Sequence, residues 1–112
     1  MFEILHSKIH RAVVTNANIN YEGSITISAN LMKSVGLCEY QKVLVVDINN
    51  GQRFETYVIE SADMNVICLN GAAARLVTIG DRVIIMTFNL VDSVPENYEP
   101  KIIVLNENNE VI

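Results

Sequence analysis

The chain has 112 residues, a net charge of −5 and a pI near 4.9, and 50% of its residues are hydrophobic. That length makes one domain that buries a core without needing a disulfide or a metal. Its eight Lys and Arg are scattered singly, which excludes the basic face of a nucleic-acid binder, and no apolar run nears the roughly 20 residues that cross a bilayer.

So apolar a composition implies strands buried on both faces, or an oligomer that hides apolar surface. Glu3 and His6 interrupt any basic-then-apolar export signal, so a cytoplasmic location is expected. Cys38 and Cys68 stand apart without a CxxC and read as reduced, buried thiols.

In chain order, Met1–Leu5 and Lys8–Thr15 read as strands. On the second, Lys8, His10 and Ala12 share one face. His6 and His10 can also share a face, but no third ligand lies near them and no zinc signature follows, so no metal is expected. Asn16–Asn20 is polar and turn-prone, and it leads into Tyr21-Glu22-Gly23-Ser24. Ile25–Ile27 is a short strand. Ser28 reads as the N-cap of a helix over 29–35, with Gly36 as its terminator and Leu31, Met32 and Val35 as its buried stripe.

The clearest local signal is Lys42–Ile48, Asn49-Asn50-Gly51, then alternation from Arg53 to Glu60, which predicts a hairpin. A strand over 65–69 follows. Asn70-Gly71-Ala72-Ala73-Ala74 predicts a brief helical turn capped by Asn70. Gly80-Asp81 turns into a strand over 82–89, 92–99 is a loop or broken helix, and 101–112 forms a last hairpin around 106–109. Many short strands with two brief helices predict a mainly β, barrel-like single domain.

Four blocks stand in order: Ser7-Lys8-Ile9-His10-Arg11-Ala12, Tyr21-Glu22-Gly23-Ser24, Asn50-Gly51-Gln52-Arg53-Phe54-Glu55-Thr56-Tyr57, and Asn70-Gly71-Ala72-Ala73-Ala74. Singly, each has a plain structural explanation, such as a turn, a solvated charge or a half-buried strand residue. Together, over nearly the whole chain, they resemble bacterial aspartate 1-decarboxylase. The loop over 61–65 departs from that family, because it lacks the basic, glycine-bearing character common there.

The resemblance implies a double-psi β-barrel assembled as a homotetramer. It also implies self-cleavage at Gly23-Ser24 into residues 1–23 and 24–112, with Ser24 becoming a covalent pyruvoyl group. Glycine at 23 suits the strained backbone that the attack requires. The family assigns the oxyanion donor to Thr56 and the proton donor to Tyr57, and it places Tyr21 and His10 near the cut. Arg53 and Lys8 are the cations for a substrate with two carboxylates. Asn70, Gly71, Ala72 and Ala73 offer amide and backbone donors to the same substrate. The implied reaction turns L-aspartate into β-alanine and carbon dioxide for pantothenate and coenzyme A synthesis, without pyridoxal phosphate or metal. Two alternatives are an unprocessed, non-catalytic barrel that binds or assembles, and an enzyme cut only with a helper protein.

One tension is visible in the sequence. On a regular strand Arg53, Glu55 and Tyr57 face one way and Thr56 the other. Either a bulge or a site at a subunit boundary resolves it, and the boundary is preferred because it also accounts for the apolar composition.

Overall fold

A computed structural model describes residues 1–112. Eight strands form one mixed sheet: β1 Phe2–Val13, β2 Asn16–Asn18, β3 Ser24–Ser28, β4 Lys42–Asp47, β5 Arg53–Ser61, β6 Ile67–Asn70, β7 Arg82–Val91 and β8 Lys101–Val104. One α-helix, α1 Ala29–Val35, and one 3-10 helix, Gly71–Leu76, complete it.

Chain connectivity forces the sheet to curl. The strand order is β2-β6-β3-β5-β4-β7-β1-β8. In a flat sheet, β1 and β2 would stand six strand spacings apart, about 29 Å. Only Val14 and Thr15 join them, and three Cα steps reach about 11 Å at most. The sheet therefore wraps into a barrel, and backbone bonds at Val14 and Thr15 tie the seam. Val14 N–H donates to Asp81 O (2.9 Å), and Thr15 N–H donates to Ile67 O (2.8 Å). The buried Asn109 adds a clamp: its Oδ1 accepts from Val13 N–H, and its Nδ2 donates to Val13 O and Asn65 O. The parallel pairs β1/β8, β2/β6 and β3/β5 among antiparallel neighbours give the mainly β, double-psi barrel expected.

The inward face alternates as the sequence predicts. Val43 and Val45 of β4, Val83 and Ile85 of β7, and Ile25 and Ile27 of β3 are at most 1% exposed. Leu31, Met32 and Val35 of α1 close one side, and Gly36 ends that helix at φ 75°. Each fully buried aliphatic side chain of this kind stabilises the fold by about 1.5–3 kcal/mol.

Several local expectations are corrected. The two N-terminal strands are one, kinked where its register with β7 shifts between Leu5 and Ser7 and between Ile9 and Ala12. Arg11, at φ 66°, takes up the second shift. Ala12 therefore turns inward with Ile9, leaving Lys8 and His10 half-buried on the other face. Residues 16–18 pair with β6 instead of turning. Ser28 does not cap α1 through its side chain; its Oγ accepts from Val66 N–H at 2.5 Å. Cys38 is exposed, and only Cys68 is buried.

The β4–β5 hairpin forms with Lys42 opposite Tyr57 and Val46 opposite Arg53. Its turn hangs on Asp47, which is 0% exposed. Asp47 Oδ1 accepts from the backbone N–H of Asn49 (2.8 Å) and Asn50 (3.2 Å). Its Oδ2 has no donor, and the Asp81 carboxyl faces it. Two carboxyls share such a contact only when one keeps its proton. Burial first, and Asp81 second, hold Asp47 above its ordinary value of 3.8, against the two backbone N–H groups. A raised folded value means that the native state binds the extra proton. Stability therefore declines as pH rises from about 3.8 through that value, and then levels off. Asp47→Asn keeps the acceptor and supplies a permanent donor toward Asp81. Its melting temperature relative to wild type should rise with pH across that window in thermal melts; a difference that stays flat would refute the shared proton.

Candidate active site

The Gly23-Ser24 junction lies where the loop after β2 becomes β3. Ser24 pairs with Asn70 and Thr26 with Cys68 across the antiparallel β3–β6 ladder. Alternation sends Ile25, Ile27, Ile67 and Leu69 into the core and puts Ser24, Thr26, Cys68 and Asn70 on the opposite face. Ser24 is nonetheless 1% exposed and Asn70 3%.

Asn70 is not a helix cap. No side-chain bond caps the 3-10 helix at Asn70. Its amide instead reaches across the ladder, where Nδ2 donates to Ser24 Oγ at 2.8 Å and to Thr26 Oγ1 at 2.9 Å. The Ser24 hydroxyl donates in turn to Glu22 O at 3.4 Å. The residue expected to touch substrate thus holds the serine beside the Gly-Ser bond.

In the resting, continuous chain the steric demand for glycine falls at 71. Gly23 lies outside the left-handed region, and a Cβ built on it meets nothing within 4 Å. Gly71 is buried at φ 67°. A Cβ there would stand 2.7 Å from Gly23 Cα, 2.8 Å from Gly23 N and 3.0 Å from Tyr21 O. In the continuous chain Gly23 thus fills the space in front of Gly71 that was expected to receive an anion. Ala72 is exposed and Ala73 half-buried.

Tyr57 and Thr56 line a cleft of about 290 Å³ with Lys42 and Glu55. The strand is regular: β5 pairs with β4 from Arg53 to Tyr57 without a register shift, so no bulge reconciles the two residues. The β3–β5 pairing begins at Ile25 and Val58, so Ser24 and Tyr57 stand one residue before it on neighbouring strands. Tyr40 lies in none of the four blocks and was missed; its ring centroid lies 6.3 Å from that of Tyr57. Lys42 was also missed; it pairs with Glu55 at 3.1 Å in the chain's one ion pair. The hairpin register, which sets Lys42 opposite Tyr57, was the signal that could have found it.

The other cations stand apart. Arg53 is exposed at the far end of β5, four residues or about 13 Å along the strand from Tyr57. Lys8 and His10 lie on β1, four strands from β3 in the sheet. His10 Nδ1 is buried without a hydrogen-bond partner. Burial first, then the charges of Lys8 and Arg11, hold its pKa below the ordinary 6.5, so the ring is neutral at pH 7.

The small barrel thus holds a Gly-Ser junction against an Asn-Gly turn, beside a strand carrying Arg, Thr and Tyr. Residues 1–112 match the family model described as aspartate decarboxylase, and the chain belongs to that family. It is 54% identical to an aspartate 1-decarboxylase of Campylobacter fetus, over 97% of this chain and 96% of that one. It is also 54% identical to one of Caldicellulosiruptor saccharolyticus, over 100% and 89%. A third, from Helicobacter acinonychis, is 53% identical over 99% and 97%.

The packing of Gly71 on Gly23 is testable by itself. Gly71→Ala forces a Cβ into left-handed backbone, which costs about 1–2 kcal/mol, and adds a clash with backbone that cannot swing away. Differential scanning calorimetry should show a melting temperature lower by at least about 5 °C. Gly23→Ala, measured beside it, should melt closer to wild type; the reverse order would overturn this assignment.

Proposed function

We propose that this chain is a self-maturing aspartate 1-decarboxylase, which cuts itself between Gly23 and Ser24 and then converts L-aspartate to β-alanine and carbon dioxide. The observation that carries this reading is the hold on Ser24: a buried hydroxyl beside the bond to be cut, gripped by Asn70 Nδ2 at 2.8 Å. Ser24 Oγ attacks the Gly23 carbonyl carbon, the C–N bond breaks, and an ester replaces the amide. Thr56 donates to the oxyanion formed on the way. Loss of the Ser24 Cα proton expels the Gly23 carboxylate. Water then hydrolyses the resulting dehydroalanine, ammonia leaves, and the pyruvoyl group remains on the new N-terminus of 24–112.

That ketone supplies the electron sink for the pair released as the α-carboxylate departs. The chain's own groups do the rest. Arg53 makes no ion pair within the chain, so its planar fork is free for a carboxylate. Lys8 is the second cation, and Ala72 and Ala73 line the substrate. Tyr57 returns a proton to the substrate carbon. Neutral His10 and Tyr21 order the region of the cut. No metal or pyridoxal phosphate takes part. The reaction serves pantothenate and coenzyme A synthesis in the cytoplasm.

The site is completed by other copies of the chain in a homotetramer. Two features support this. Arg53, Lys8 and His10 are far from Ser24 within one chain, and His10 Nδ1 lacks a partner. The outer face of β4 and β7 carries Leu44 opposite Met86 and Val46 opposite Ile84, an apolar surface suited to a second copy.

Intact-mass spectrometry should find residues 1–23 and a pyruvoyl-started fragment, while Ser24→Ala stays a single chain. Thr56→Ala should slow the cut by about 10²–10³-fold. Fully cut wild type should release β-alanine from L-aspartate, followed by product NMR. Arg53→Lys should be cut normally and still lose most turnover, because it keeps the charge without the fork. Cut protein that makes no β-alanine would leave only the non-catalytic barrel.

A further inference from the structure

We propose that Cys68 is a positioning residue for the self-cleavage described above, a reading on which this inference rests: its thiol sets the Asn70 amide so that Nδ2, and not Oδ1, faces Ser24. A buried cysteine is ordinarily a small hydrophobe, but this one points away from the core. Its neighbours Ile67 and Leu69 face inward, while Cys68 lies on the face of Ser24, Thr26 and Asn70. Its Sγ is 3.3 Å from Asn70 Oδ1. The competing acceptor, Leu69 O, is 3.9 Å away.

A primary amide has two donors on one side and an acceptor on the other. Here both donors are taken, by Ser24 Oγ and Thr26 Oγ1. The acceptor side faces only the thiol. A flipped amide would turn both N–H groups onto one sulfur, a weak acceptor, and present Oδ1 to Ser24. Ser24 would then have to turn its proton from Glu22 O to Asn70, which rotates the nucleophile's lone pairs. The thiol supplies the one donor that makes the observed orientation the satisfied one. Burial raises the pKa of Cys68, so it stays a thiol and keeps that donor at neutral pH. A half-satisfied buried network is disfavoured, so the bond from Cys68 matters more than its weak S–H alone would indicate.

The test compares cutting rates of freshly made precursor by intact mass for wild type, Cys68→Ala and Cys68→Ser, each alone and with Asn70→Ala. Cys68→Ala should slow the cut by about fivefold to tenfold, the worth of one neutral hydrogen bond, and Cys68→Ser, which restores an O–H donor, should recover most of that. In the Asn70→Ala background the identity of residue 68 should cease to matter, because Cys68 acts only through Asn70. An unchanged rate in Cys68→Ala, a failure of serine to rescue, or an effect that persists without Asn70 overturns the proposal. A second arm does not need the cut. In Ser24→Ala protein, the Asn70 side-chain amide should give one slowly exchanging pair of NMR signals with Cys or Ser at 68 and a fast-exchanging pair with Ala. Wild type that remains whole refutes self-cleavage, and the amide signals then decide the role of Cys68 by themselves.

Discussion

The two-residue link Val14-Thr15 governs this structure. It joins strands that a flat sheet would hold far apart, so closure of the barrel is imposed by chain length before any side chain is considered. Closure sandwiches the four-residue β6 between β2 and β3. The β3–β6 register then sets Ser24 directly opposite Asn70, the last residue of its strand. The same closure brings the start of the 3-10 helix under the Tyr21–Gly23 segment, close enough that Gly71 has no room for a Cβ. The junction is thus positioned by backbone topology, and side chains refine it.

The refinement is a division of tasks between two faces. Inward residues of β3 and β6 are aliphatic and fully buried, while the opposite face carries a short polar ladder, Ser24, Thr26, Cys68 and Asn70. In a setting poor in water each polar atom of that ladder needs a partner. Asn70 is suited to the centre because it has donors on one side and an acceptor on the other. Tyr57 stands on the neighbouring β5, with Lys42, Glu55 and Thr56 around the adjoining cleft. Arg53, Lys8 and His10 stand elsewhere on the barrel. One chain therefore gathers Ser24, Thr26, Cys68 and Asn70 in one place and spreads its cationic side chains over several.

Much of the fold was legible because it is local. The β4–β5 hairpin follows from β-branched alternation around Asn-Gly, and α1 from its spaced apolar residues and terminal Gly36. What escaped was set by partners distant in sequence. Nothing near Arg11 announces that the strand shifts register there and turns Ala12 inward, since β7 imposes the shift from seventy residues away. Ser28 and Asn70 both sit at helix starts and read as caps, yet each spends its side chain across the sheet, on Val66 and on Ser24. The glycine of the Gly-Ser pair drew attention, whereas the steric need lies at Gly71, visible only once the two segments meet. Cys68 read only as a buried thiol because its thiol's partner is an amide two residues on, facing the same way only in an extended strand. The four blocks were legible as an ordered set; which of their residues share one chain's wall was not.

The position of residue 23 within the barrel has a consequence for the integrity of the particle. Most of what precedes it is wall: β1 pairs with both β7 and β8, β2 pairs with β6, and Ile9, Ala12 and Val14 are buried in the core. A break in the backbone after Gly23 would sever one covalent bond and none of these ladders. The short piece would be a stave of the barrel, held by its neighbours' hydrogen bonds and by apolar contact. A nicked molecule would migrate under native conditions with the mass of the whole, and its halves would part only when the fold itself was lost.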